Sequence, residues 1–197
     1  MRTLHIMLFG LIPLTTFAQN NVLGKGFSYH ASSEAIMSDG EHAPFWLTSN
    51  RHGLASVEKS SAFFATGITK ELLMDNNKPW EWGGGADFVV ASDHTSTFFI
   101  QQLYADVRYK SAVMTLGQKE HKMEMKNNEL SSGSQTLGIN SRPYPEIRLS
   151  LPKYWNVPGT NGFLGLKGHI AFGLYTDNHF QRDFTRRMSK YDQDVMM

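Results

Sequence analysis

The sequence predicts an all-β chain with antiparallel strands in a barrel-like sheet, and three observations carry that expectation. Apolar and polar residues alternate with a period of two along most of the chain. The alternating stretches approach the length of about 9 to 11 residues that a tilted membrane strand needs, where soluble strands average about 5 or 6. Aromatic residues gather toward the strand ends, at Trp80 and Trp82, Phe98 and Phe99, Tyr109, Tyr154 and Trp155, and Tyr175. Composition agrees, since 17 Gly and 12% aromatics in 197 residues suit strands and turns. The chain contains no Cys, which excludes a disulfide framework, a thiolate metal site and a cysteine nucleophile. A formal charge of +1 gives no footing for nucleic acid or for an anionic membrane surface.

The first residues have the form of an address. Arg2 supplies a positive start, Ile6 to Leu14 form a short apolar run, and Thr16-Phe17-Ala18 places small residues at a cleavage site before Gln19. The run is shorter than the roughly 20 apolar residues of a membrane-spanning helix. Residues 1–18 therefore read as a secretory signal peptide, and residues 19–197 as a partial outer-membrane β-barrel domain.

Seven strands follow. The first covers Phe27 to Met37. It leads into HAPFWLTSNRHG at 42–53, an aromatic cluster where a connection in water would normally be polar. The second covers Ser61 to Lys70, and DNNK at 75–78 turns the chain. In the third, Trp80, Trp82, Gly84, Ala86, Phe88 and Val90 share one face and Glu81, Gly83, Gly85 and Asp87 the other, with Val89 out of step. After the short turn Ser92 to Ser96, residues 98–109 set Phe99, Leu103, Ala105, Val107 and Tyr109 against Gln102, Asp106 and Arg108. Lys110-Ser111 turns into a strand at Val113 to Gln118. Residues 146–151 set Ile147, Leu149 and Leu151 against Glu146, Arg148 and Ser150. The last strand, 163–176, sets Leu164, Leu166, Ile170, Phe172 and Leu174 against Lys167 and His169.

Two architectures fit this alternation, and they differ in what covers the apolar face. In a soluble sandwich it meets a core, and in an outer-membrane barrel it meets lipid while the charges line the lumen. Strand length, terminal aromatics and the leader favour lipid. With the first strand running outward, the long connections at 38–60 and 119–145 lie outside and the short ones at 75–78 and Lys110-Ser111 on the periplasmic side, with the short turn Ser92 to Ser96 as the exception. The 38–60 segment also suits a place inside the barrel.

The stretches GEHAPFWLTSNRHGLAS (40–56), FFIQQLYADVRYKSAVMTLGQKE (98–120), LSSGSQTLGINSRPYPEIRLSLPKYWNVPG (130–159) and GFLGLKGHIAFGLYTDNHFQRDF (162–184) are similar to the capsule assembly protein Wzi family of Gram-negative bacteria. The resemblance covers nearly all of the chain after the leader. Its short motifs stand in the family's order: APFW with Asn-Arg-aromatic-Gly, Gly-x-Lys-Glu, Leu-Ser-Ser-Gly with Arg-Pro, and Val-Pro-Gly-Thr. It implies a large outer-membrane barrel that associates with capsular polysaccharide and assists capsule assembly at the cell surface. Family members extend beyond the length seen here, and about seven strands do not close a barrel, since the smallest use eight. The chain thus reads as the amino-terminal portion of a transmembrane antiparallel β-barrel, incomplete at about seven strands. A non-functional fragment is the corresponding alternative.

Enzyme readings find little support. The eight His include no HExxH pair. Gly24-Lys25-Gly26 and Gly83-Gly84-Gly85 lack the strand-then-helix setting of a phosphate loop. Glu81 and Asp87 lie about 20 Å apart along one strand face, too far for a glycosidase pair. Arg186-Arg187 with Lys190 reads as a solvated run. No catalytic residue, metal or cofactor is expected. Sugars are bound by aromatic faces and planar polar groups, with cations added for acidic polymers. That mixture occurs at Phe45, Trp46, Asn50 and Arg51 and again at Arg142 and Tyr144, which makes these six the candidate glycan contacts. The expected partners are capsular polysaccharide and outer-membrane lipid. The alternative function is a diffusion porin, its selectivity set by Glu81, Asp87, Asp106, Arg108, Glu146, Arg148 and Lys167.

Overall fold

A computed structural model describes residues 14–18, 26–73, 78–121, 138–175 and 195–196. The greater part of the leader, Gly24-Lys25, residues 75–77, the Leu-Ser-Ser-Gly motif and the run around Arg186 lie outside the described residues. One antiparallel sheet runs in chain order through nine strands. They are β1 (Leu14–Ala18), β2 (Phe27–His42), β3 (Glu58–Lys70), β4 (Trp80–Ser92), β5 (Phe98–Tyr109), β6 (Ala112–Gln118), β7 (Pro145–Asn156), β8 (Gly165–Tyr175) and β9 (Val195–Met196), with one short helix, α1 (Phe45–Thr48). The seven strands β2–β8 form an open half-barrel. β1, within the segment expected as a leader, pairs with Tyr29–Ser33 of β2.

The half-barrel has two rims. The strand ends joined through 43–57, 93–97 and 119–144 lie at what we term the loop rim, and those joined through 71–79, 110–111 and 157–164 at the turn rim. The two long connections thus share one end of the sheet, as their positions in the strand order require.

Polarity across the sheet is inverted relative to a water-soluble domain. Strand register lines up Trp82, Val107, Met114, Leu149 and Ile170 in one convex row, and Gly84, Ala105, Leu116, Ile147 and Phe172 in the next. The eight large apolar side chains in these rows are between 44% and 79% exposed. On the concave face Glu34, Asp87, Gln101, Asp106, Arg108, Thr115, Glu146 and Arg148 are buried. Charged residues are ordinarily the least buried type. Leaving eight large apolar side chains in water forgoes on the order of 10 kcal/mol, which is comparable to the whole stability of a domain.

Three register shifts interrupt the ladder, at Met37/His42, Asp87/Phe88 and Leu151/Trp155, and the second re-aims side chains near the site. Asp87 pairs with Gln102 but Phe88 pairs with Ile100, so Gln101 is an extra residue in β5. A bulge of this kind turns both Gln101 and Gln102 toward the concave face and reverses the parity of everything before them. Phe99, expected on the apolar face with Leu103, is therefore on the concave side and only 6% exposed. There it joins Ala65, Val89 and Ala91, with Leu54 and Phe63 packed against them. This small apolar floor at the loop rim also accounts for Val89, which breaks the polar pattern of its face because it faces other apolar groups and is fully buried.

Candidate functional site at the loop rim

The segment after α1 reverses direction through three residues with positive φ, Asn50 (59°), His52 (53°) and Gly53 (69°). Asn and His tolerate this region better than most side chains, and Gly adopts it without penalty. The reversal carries residues 50–54 inward over the mouth of the half-barrel, where Leu54 reaches the apolar floor. The 42–53 segment, expected either outside or folded into the barrel, thus runs into the mouth at its far end.

There it meets the second candidate segment. The His52 amide donates to the Ile139 carbonyl at 2.6 Å, and the Asn50 amide donates to Asn140 Oδ1 at 2.7 Å. At Gly53 a Cβ would lie 2.8 Å from the Arg142 amide nitrogen, so the close approach of the two segments requires glycine. Gln101, the bulge residue, donates through Nε2 to the His52 carbonyl at 2.9 Å and to Glu120 Oε1 at 2.7 Å. His94 Nε2 lies 3.1 Å from the Gly53 carbonyl oxygen, which makes Nε2 the protonated nitrogen. Burial pushes the His94 imidazole below its ordinary pKa; the neighbouring Arg142 charge acts in the same direction, and the Gly53 carbonyl opposes both.

The six candidate glycan residues fall into two groups. Phe45 and Trp46, on α1, are 75% and 72% exposed, and Asn50 is exposed beside them in the chain. The two arginines are engaged within the protein. Arg51 Nη1 donates to Glu34 Oε2 at 2.9 Å, and the Arg142 guanidinium lies 4.6 Å from the centre of the Phe99 ring. Tyr144 is half-buried beside a small cleft lined by His52, Glu120, Arg142, Glu146 and Arg148. Backbone bonds therefore join the Asn50–Arg51 and 139–142 segments, while Phe45 and Trp46 offer open ring surface.

Glu34, His94, Phe99 and Gln101 organise this mouth and were not among the expected site residues. One sequence signal was present, the Gln101-Gln102 doublet that interrupts the alternation of β5. Nothing local distinguishes Glu34 or His94, whose partners are distant in sequence.

Below the mouth the concave face carries linked charges. Arg148 donates to Glu146 at 2.6 Å, and His121 Nε2 lies 2.7 Å from the same carboxylate oxygen. Asp106 accepts from Thr115 at 2.6 Å and from Lys119 at 2.5 Å, and Arg108 lies 3.5 Å from Glu81. A groove of about 490 Å³ runs along this face past Tyr104, Lys119, His121, Arg148, Ser150 and His169. Among the described residues no group of three or more His, Cys, Asp or Glu is placed to hold a metal ion. Comparison with protein-family models, curated proteins and solved structures gives no match in any of the three.

Proposed function

We propose that the chain forms part of the wall of an outer-membrane β-barrel that associates with capsular polysaccharide at the cell surface, the reading that its resemblance to the Wzi family implies. The inverted polarity of the half-barrel carries this reading. In water the convex rows have no favourable partner, whereas lipid supplies one and leaves the linked charges of the concave face in a lumen. The loop rim, with the longer connections, is then the outer one, since barrels of this class keep their periplasmic turns short.

At that rim the ring faces of Phe45 and Trp46 suit the C–H surface of a sugar, and Asn50 suits its hydroxyls. Arg51 and Arg142 hold the platform in place, so glycan contact falls mainly on the aromatics. Residues 50–54 and 139–142 are joined across the mouth of the half-barrel, which favours an anchoring barrel over the alternative of a diffusion porin. A porin conducts steadily in a planar bilayer and a filled barrel is nearly silent.

The test is capsule retention in the encapsulated host. Replacing Phe45 and Trp46 with Ala in the full-length protein is expected to loosen the capsule while the amount of folded barrel stays unchanged. Reduced barrel assembly with unchanged capsule per barrel would make the cluster structural packing and refute the sugar contact.

A further inference from the structure

Charge is distributed unequally between the two rims. At the turn rim Lys78, Lys110 and Lys153 are exposed, against a single exposed carboxylate, Glu71, among the described residues, while Lys167, also exposed, lines the concave groove. The opposite holds at the loop rim. There, among the described residues, Asp39, Glu41, Glu58 and Asp93 are exposed, against Lys59 as the exposed base, while Arg51 and Lys119 are held by Glu34 and Asp106.

Exposed aromatic rings stand at the same edge. Lys110 Nζ lies 5.3 Å from the Tyr109 ring centre. Trp80 packs against Tyr109 with ring centres 4.5 Å apart and remains 63% exposed. Beneath them Arg108 donates to the carbonyls of Lys78 and Lys110 at 2.9 and 3.1 Å, which fixes the backbone that presents both lysines. Amphipathic rings prefer the headgroup level of a bilayer, and ammonium groups beside them are at the depth of lipid phosphates.

We infer that the turn rim is a docking surface for the headgroups of anionic glycerophospholipids, formed by Lys78, Lys110 and Lys153 beside exposed Trp80 and Tyr109. The inference rests on the membrane reading above and adds the partner and the orientation to it. Phosphate groups are also available free in solution. The ring pair selects the membrane-borne source, because Trp80 and Tyr109 at the convex edge have no use for a free anion. The acidic loop rim is repelled by the same headgroups, so the asymmetry sets which rim faces the phospholipid leaflet.

The test is insertion of the full-length protein from denaturant into vesicles of phosphatidylcholine alone or mixed with phosphatidylglycerol, scored by protease protection. The wild type should insert about tenfold more in the anionic vesicles, with the preference lost near 1 M salt. A variant with Lys78, Lys110 and Lys153 changed to Gln should insert equally in both, and the matching Lys→Arg variant should keep the preference, which separates charge from folding. Inorganic phosphate at matched ionic strength should leave the preference unchanged. Persistence of the preference in the Gln variant, its absence in the wild type, or its loss to inorganic phosphate overturns the docking surface while the barrel stands. Failure of every protein to insert in either vesicle overturns the membrane reading with it.

Discussion

Asp87 and Phe88 are neighbours in β4 and face opposite surroundings: Asp87 is 4% exposed on the concave face, and Phe88 is 42% exposed on the convex one. Asp87 accepts a hydrogen bond from Gln102 at 2.5 Å and lies 3.5 Å from His30. Phe88 stacks on Phe98 at the outer surface, with ring centres 6.3 Å apart. If the convex face meets lipid, Phe88→Arg costs about 2–4 kcal/mol near the bilayer midplane. Asp87→Asn keeps the shape and the acceptor oxygen and costs about 1 kcal/mol. Unfolding of the full-length protein in bilayers measures both, and equal costs would count against the assignment of faces.

The Arg51–Glu34 pair supports the mouth. Glu34 is 8% exposed on the concave face of β2, and its Oε2 accepts from Arg51. Arg51→Ala leaves this carboxylate buried with its main partner gone, at a cost of about 1–3 kcal/mol. Adding Glu34→Gln should recover part of the loss, and the double-mutant cycle reports the coupling. If the two changes are additive, the pair does not stabilise the loop.

The mouth should also loosen in acid. His94 titrates below its ordinary value of 6.5 in the folded mouth because burial disfavours the charged ring. The open mouth therefore binds more protons than the closed one. The closed form has its full stability above the ordinary value and loses it as pH falls through that value toward the lowered one. Cleavage by protease within residues 50–54, corrected for protease activity, should be faster at about pH 5 than at about pH 8, and His94→Gln should flatten the difference. A profile unchanged by His94→Gln would assign the effect to another group.

Much of the sheet was legible in the sequence. In β4 the alternation of Trp80, Trp82, Phe88 and Val90 with Glu81 and Asp87 gave the correct faces, because a two-sided strand between unlike media imposes the period directly. Strand ends were less legible: β2 runs to His42 and β7 to Asn156, both past the apolar stretches that marked them. Phe99 was misplaced because one inserted residue, Gln101, reverses parity, and the pairing that reveals a bulge lies on the neighbouring strand. The candidate site was legible as two segments rich in aromatic and planar polar groups. Their union through His52 and Ile139, and the engagement of Arg51 by Glu34 and Arg142 by Phe99, depend on contacts between residues far apart in the chain. Residue type alone does not separate an arginine that binds ligand from one that holds a loop.

The central claim, that the convex rows face lipid and the concave groove faces water, is most directly tested by thiol accessibility, for which a chain without Cys is already suited. Single substitutions Leu149→Cys and Ile170→Cys on the convex face, and Ser150→Cys and His169→Cys on the concave face, place thiols on paired residues of β7 and β8. In outer-membrane preparations of the full-length protein, a membrane-impermeant maleimide should label Cys at 150 and 169 and spare Cys at 149 and 170, which become reactive on denaturation. Labelling at 149 and 170 in the native membrane, with 150 and 169 protected, would mean that the apolar rows face water and would contradict the barrel.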